Sequence, residues 1–394
     1  AGGRELAVLR EPDQSYYFRE ERLGWILGPY EAGAPARFAD GVPSWFGKDL
    51  FPGELERLLP HVEAAQRRVP GLERCGIKDI VNGPIAYTPD GSPLVGPAWG
   101  VKNLWINEGH SFGITAAGGA GWQLAEWIVE GEPGIDMLAV DPRRFGGYTS
   151  KRYLVAKNEE AYRDVFTIHY PDEERPDARP AKTSPVYDKL KRMGAVFGQR
   201  YGWERANWFA PEGVEPKDEW SFRRSNYFQH VGNECRRLRE KVGVIDLTPF
   251  TKFEVTGPGA EGWLDSLVAN KVPTKVGRIA LCHALTQRGG IRSEFTITKL
   301  ADHHYYVVSA GAAERYDSDF LQKKLPTDGS VTLRNITGSR GVFVLAGPRA
   351  RDVMAKLTDT LLDNASFPWL TGQVIEAGLA TDVYALRVNF VGAL

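Results

Sequence analysis

The stretch "GHSFGITAAGGAG", residues 109–121, restricts this chain more than any other. It joins an apolar, strand-like run (Leu104, Trp105, Ile106) to an amphipathic run (Trp122, Leu124, Ala125, Trp127, Ile128). Side chains are almost absent where a strand should turn into a helix, so something must come close to the backbone there. Two arrangements meet that demand. A bound group can rest on the unpaired amides of a helix N-terminus, or a helix can pack tightly on a sheet. The residues by themselves leave both open.

Residues 6–30 read as a strand meander, "LAVLR", "SYYFRE" and "GWILGPYE", separated by polar turn residues such as Asp13 and Gln14. "GELERLLPHVEAAQ", 53–66, has helical apolar spacing broken by Pro60. "YTPDGSPLVGP" predicts a turn-rich hairpin with Pro89, Asp90 and Gly91 at its tip, and the small-residue stretch leads into a helix expected from Gly119 to Gly131. From 149 to 217 the composition changes. "YPDEERPDARPAKTSP" is dense in proline and charge, as an exposed connection is, and the aromatic clusters "YGWERANWF" and "FRRSNYF" follow. From 218 the pattern is strand-rich, with "KFEVTG", "RIALCHALT", "EFTITKL", "HYYVVSAG", "SVTLRNIT" and "GVFVLAG", interleaved with short helices such as "GAEGWLDSLVANK". No repeat of fixed period appears, which argues against a solenoid or propeller. "GPGAEG", 257–262, has the glycine spacing of a dinucleotide loop, but no acidic residue stands ~20 positions on to hold a ribose, and Pro258 removes an amide. It is expected to be a strand-to-helix corner.

A chain of 394 residues predicts two or three domains. Its formal net charge of -1 gives no electrostatic case for nucleic acid or an anionic membrane. Arg236, Arg237, Arg239 and Lys241 alternate with Leu238 and Glu240, which reads as a solvated helix face. Cys75, Cys235 and Cys282 lie far apart without a CxxC pair, which suits thiols in a reducing compartment, cytoplasmic or mitochondrial. No apolar run approaches the ~18 residues of a membrane helix. His303 and His304 point apart on a strand, and His110, His169 and His230 are scattered, so no metal site is expected. The chain opens "AGGRELAVLR" without a methionine and stops inside the alternating "VYALRVNFVGAL", so it is expected to be a fragment.

The order "TPDGSPLVGP", then "NLWINEGHSFGITAAGGAGWQLAEWIVEGEP", resembles the C-terminal end of the flavin domain in glycine-oxidase-like flavoproteins. The continuation, with "SFRRSNYF", "VGVIDLTPFTKFEVTGPGA", "LTQRGGIRSEFTITKL" and "LAGPRARDVMAKLT", resembles the dimethylglycine dehydrogenase and sarcosine dehydrogenase family. In that family a flavin amine-oxidising half is fused to a folate-binding half similar to the glycine-cleavage T-protein. The resemblance covers essentially the whole chain. It implies an α+β multidomain fold: the C-terminal part of an FAD-dependent domain over 1–148, a connecting segment over 149–217, and a T-protein-like domain over 218–394. The flavin part would supply an antiparallel substrate sheet and an FAD-contacting helix. The Rossmann glycine loop, the histidine that carries covalent flavin and the end of the folate half would lie outside this chain. "RVNFVGAL" resembles the strand before further folate contacts.

The resemblance implies FAD and tetrahydrofolate as cofactors, and three candidate sites. The first is the start of the small-residue helix, with Phe112, Gly113, Ile114 and Thr115 as FAD contacts. Helix N-terminal amides carry about half a positive charge, which favours the negative charge of reduced flavin. Tyr17 is the second, a phenol to hold the substrate carboxylate or orient the amine; Tyr16, on the opposite strand face, packs. Glu294 is the third, standing where T-protein-like chains carry an acidic residue, usually aspartate, near the folate amine; Thr296 shares its strand face. The implied activity is oxidative demethylation of an N-methyl amino acid, with the one-carbon unit passed to tetrahydrofolate. Electrons would go to an electron-transfer flavoprotein or to oxygen. Two alternatives stay open: an oxidase of the same substrates, and a folate-dependent aminomethyl or methyl transferase with an inactive flavin-like half.

Overall fold

Alternation in "YYFREE" organises the first sheet. In the computed structural model, which describes residues 6–388, strands β1 (Leu9–Glu11), β2 (Tyr16–Glu21) and β3 (Gly24–Pro29) pair antiparallel in that order. Tyr16 and Phe18 share one face and are buried against Ala64 and Ala65 of helix α1 (Leu55–Arg68); Tyr17 lies on the other face, half-buried. Pro60 was expected to break this helix and instead lies inside it. It forfeits one early backbone bond, and the buried alanine stripe offsets that loss.

The hairpin of β4 (Leu94–Pro97) and β5 (Trp105–Glu108) leads to helix α2 (Gly113–Glu130), which ends at Gly131 in the left-handed conformation, φ 80°. The helix begins at Gly113, earlier than the expected Gly119, so most of the small-residue run is helix rather than turn. Interspersed alanines favour the helix, while each glycine costs about 1 kcal/mol. Burial of Leu124 and Trp127 against Val95 and Met137 then carries it. A Cβ on Gly96 would come 2.9 Å from the Trp127 ring, so the strand can approach this helix only without a side chain.

The expected connecting segment is folded over much of its length. Helix α3 (Lys151–Arg163) is capped by Ser150, whose hydroxyl oxygen accepts from the Tyr153 amide at 3.2 Å. Lys157 and Glu160 form a buried ion pair at 2.8 Å. Lys157 also donates to the Arg175 carbonyl (3.2 Å), and Glu160 accepts from the Asp177 amide (2.8 Å). Charges that read as surface residues thus pin the proline-rich strip inward. The chain divides into two compact units. The first comprises residues 1–97, 103–142 and 147–179; the second comprises 98–102, 143–146 and 180–394.

The second unit opens with α4 (Tyr187–Arg192), the hairpin β6 (Ala195–Arg200) and β7 (Trp203–Phe209), then α5 (Phe228–Glu240) and β8 (Gly243–Asp246). The basic side chains of α5 are exposed. Its centre is an antiparallel sheet in the order β10-β11-β12-β9-β13: β9 (Thr251–Thr256), β10 (Ile279–Leu285), β11 (Ile291–Ala301), β12 (His304–Ser309) and β13 (Thr332–Asn335). "GPGAEG" is the corner between β9 and helix α6 (Ala260–Leu267); at Gly257, φ 116°, an added Cβ would run into the Ser330 carbonyl. One sheet face buries Phe253, Val255, Cys282, Phe295 and Ile297 beneath α6 and helix α7 (Glu314–Lys323). β14 (Phe343–Ala346) pairs with β8, and α8 (Ala350–Met354) leads to the hairpin of β15 (Thr371–Ala377) and β16 (Ala380–Arg387). That hairpin covers the other sheet face at Thr298 and Tyr306: a Cβ on Gly372 would come 3.2 Å from Thr298, and Tyr384 stands edge-on to Tyr306 at 5.3 Å. Leu281, Leu285 and Glu294 remain uncovered. Of "RVNFVGAL", residues 389–394 lie outside the described residues.

Candidate functional site

In the first unit, chain segments distant in sequence bring their rings to Tyr17. Its ring packs close on Gly28 of β3, the residue opposite in the register; a Cβ there would collide with the hydroxyl-bearing edge of the phenol. Phe166, just past α3, is the hub. Its centroid is 6.0 Å from Tyr17, 4.7 Å from Tyr30 and 6.4 Å from Phe112, the residue that caps α2. The Arg10 guanidinium lies 4.6 Å from the Phe166 ring and donates to its carbonyl at 3.1 Å. Tyr162 stands 5.1 Å from Tyr30 and 5.7 Å from Tyr87. The Tyr162 hydroxyl donates to the buried Glu31 at 2.7 Å, and Arg57 pairs with the same carboxylate. Burial pushes the Tyr30, Tyr87 and Tyr162 phenols above their ordinary range, so all three stay neutral donors at physiological pH.

Tyr17 and Phe112, predicted separately, therefore meet across Phe166. Gly113, Ile114 and Thr115 form the first turn of α2, and the Phe112 cap makes no side-chain bond to their amides. Ile114 is fully exposed, and a Cβ on Gly118, Gly119 or Gly121 would find nothing within 4 Å. Just before the helix, Nδ1 of His110 is buried without a hydrogen-bond partner among the described residues, while Nε2 lies 2.8 Å from Asn107 Oδ1. Open space beside small residues, free amides and an unpaired buried nitrogen suit a flat, anion-bearing ring system such as a flavin. Sequence reading missed Tyr30, Tyr87, Tyr162 and Phe166. The last two fall in the stretch taken as a connection, where helical spacing in "YLVAKNEEAYR" was the available signal.

The second unit holds the other candidate. Glu294 lies on β11 with its side chain 57% exposed, directly opposite His283 on β10; His283 Nε2 is 3.1 Å from Glu294 Oε2. Thr296 follows on the same face. Behind Glu294, Ser293 points inward and donates to Asp317 Oδ1 at 2.6 Å. Burial pushes the Asp317 carboxyl up to about 6, with the Ser293 hydrogen bond opposing. His283 was passed over in the sequence. Among the described residues no group of three His, Cys, Asp or Glu side chains is placed to hold a metal ion, and no helix is long and apolar enough to cross a membrane.

The first unit thus holds a phenol-lined niche near a small-residue helix start, and the second a carboxylate on an antiparallel sheet. Residues 2–127 match the FAD dependent oxidoreductase family, 130–184 the FAD dependent oxidoreductase central domain, and 186–394 the GCVT N-terminal domain. The chain belongs to the family in which these domains are fused, that of the dimethylglycine and sarcosine dehydrogenases. It is 39% identical to dimethylglycine dehydrogenase, mitochondrial, of Rattus norvegicus, over 99% of this chain and 46% of that protein. With the 4-methylaminobutanoate oxidase (formaldehyde-forming) of Paenarthrobacter nicotinovorans the identity is 32%, over 99% of this chain and 47% of the relative. Sarcosine dehydrogenase, mitochondrial, of Homo sapiens is 29% identical over 100% of this chain and 47% of its own length. The chain thus spans about half the length of these curated relatives.

Proposed function

We propose that the protein containing this chain oxidises an N-methyl amino acid of the dimethylglycine or sarcosine type and passes the one-carbon unit to tetrahydrofolate. The observation that supports this reading is that Tyr17 and Phe112 both lie against Phe166, which brings a phenol near the start of α2. FAD, when bound, supplies the hydride acceptor for the N-methyl carbon. The first-turn amides of Gly113, Ile114 and Thr115 favour negative charge on that acceptor. Tyr17 donates its hydroxyl to the substrate carboxylate, and the rings around Phe166 exclude water and favour a methylated cation. Glu294, with Thr296 beside it, orients the amine of the folate substrate and takes up a proton as the one-carbon unit is captured.

A relative named as a formaldehyde-forming oxidase keeps oxygen as the competing electron acceptor to an electron-transfer flavoprotein. The test is a panel of methylated amines on the full-length protein. Anaerobic flavin bleaching by dimethylglycine or sarcosine, with little oxygen uptake in air, is the expected result. Rapid oxygen uptake selects the oxidase. No bleaching by any methylated amine removes the reading, and methyl or aminomethyl transfer to folate without bleaching selects the transferase.

A further inference from the structure

We propose that His283 is a positioning residue for Glu294, holding one carboxylate oxygen so that the other faces the folate amine. The inference rests on the folate reading of Glu294. His283 and Glu294 are direct cross-strand partners on β10 and β11, whose Cβ atoms lie about 4.5–5.5 Å apart in such a pair. An ionised carboxylate only accepts, so the ring nitrogen 3.1 Å from Oε2 is the donor of this bond. The backbone under His283 is firmly held: Cys282 and Ala284 on either side are wholly buried, and the His283 carbonyl accepts from the Ala269 amide at 2.9 Å. Glu294, by contrast, is 57% exposed, and Oε1 has no hydrogen-bond partner among the described residues. One oxygen is fixed and the other is presented. Leu281 and Leu285, two positions either side of His283, are exposed at 46% and 44%, an apolar shelf for a flat ring whose amine meets Oε1. A glutamate has one more rotatable bond than an aspartate, so a fixed partner matters more here.

The experiment compares His283→Leu, His283→Gln and Glu294→Gln, and the double variant His283→Leu with Glu294→Gln, all in the full-length holoprotein. Two quantities are read: the tetrahydrofolate dissociation constant by calorimetry, and the ratio of methylene-folate to free formaldehyde during turnover. His283→Leu is expected to weaken folate binding and lower the ratio, each about threefold to tenfold, as loss of a part-exposed bond to a charged group should. His283→Gln, whose amide nitrogen reaches the Nε2 position, restores most of both. In the double variant His283→Leu adds nothing to Glu294→Gln, because a positioning residue acts only through its partner. Additive effects, or equal effects of Leu and Gln, overturn the proposal while Glu294→Gln keeps the folate reading alive. If Glu294→Gln itself changes neither quantity, the folate reading of Glu294 fails and this proposal with it.

Discussion

Tyr17 and Glu294 are held by opposite means. Tyr17 belongs to a crowded niche in which β1, β2, the end of β3, the α2 cap and the residue past α3 each contribute a ring or a cation. Glu294 stands in the open and is held by a single neighbour on the next strand. A niche assembled from distant segments keeps water out, yet a change in any wall moves its contents. A pair set by strand register needs only two residues and a stiff sheet, and tolerates change elsewhere.

Gly28→Ala is the largest test of that contrast. Its Cβ would occupy the Tyr17 ring, so the phenol must leave, and amine oxidation should drop by about a hundredfold in stopped-flow flavin bleaching. A near-normal rate, with folding verified by thermal unfolding, would break the picture of a crowded niche. Tyr17→Phe removes only the hydroxyl; a hydrogen bond to a charged carboxylate predicts a loss of about tenfold to a hundredfold. Tyr16→Phe, on the buried face, should leave oxidation alone, and reversed effects would exchange the two faces. Glu294→Gln should spare bleaching and lower the methylene-folate to formaldehyde ratio about tenfold. A fall in bleaching instead would show that the two regions do not work separately. Gly113→Val sharpens the first region: its Cβ meets only His110 Cβ at 3.6 Å, so folding should survive while its branches slow flavin reduction. Wild-type flavin content and rate would make α2 a packing helix.

The smallest effect is one of pH. The Asp317 carboxyl is raised from 3.8 to about 6 by burial, so its proton is held more tightly in the folded state. The stability it lends is complete below about pH 4 and is lost as the pH rises to about 6. Asp317→Asn should lack that fall, so the stability difference between variant and parent in urea melts should change between about pH 4 and pH 6 while the other carboxylates cancel. A difference that is the same at every pH would mean that folding does not raise the Asp317 carboxyl.

The strand meander, the β9–α6 corner and the strand-rich second half were legible because their signals are local: period-two alternation, and glycine or proline at turns. Helix α2 was legible at its end and not at its start. Gly131 marks a C-terminus by conformation, whereas the glycine-rich first turns look like a loop until Leu124 and Trp127 are seen buried. Residues 149–179 were opaque for a different reason. Lys157 and Glu160 neutralise each other inside the first unit, and no sequence pattern distinguishes that from a solvated i, i+3 pair. Tyr30, Tyr87 and the neighbouring pair Tyr162 and Phe166 come from three distant parts of the chain, so their meeting is visible only in three dimensions. His283 opposite Glu294 depends on register, which a strand pattern does not specify without its partner.

Cys282, wholly buried between Leu281 and His283, has a thiol that burial pushes up to about 11, while Cys75 and Cys235 are exposed. The chain therefore carries its own kinetic probe. Two sulfurs should react with a maleimide or disulfide reagent at once, and the third only as fast as β10 peels from the sheet. Mass spectrometry of alkylated protein over time would then give the opening rate beneath the His283–Glu294 pair without any introduced label, and a ligand seated on that strand should slow the third adduct alone.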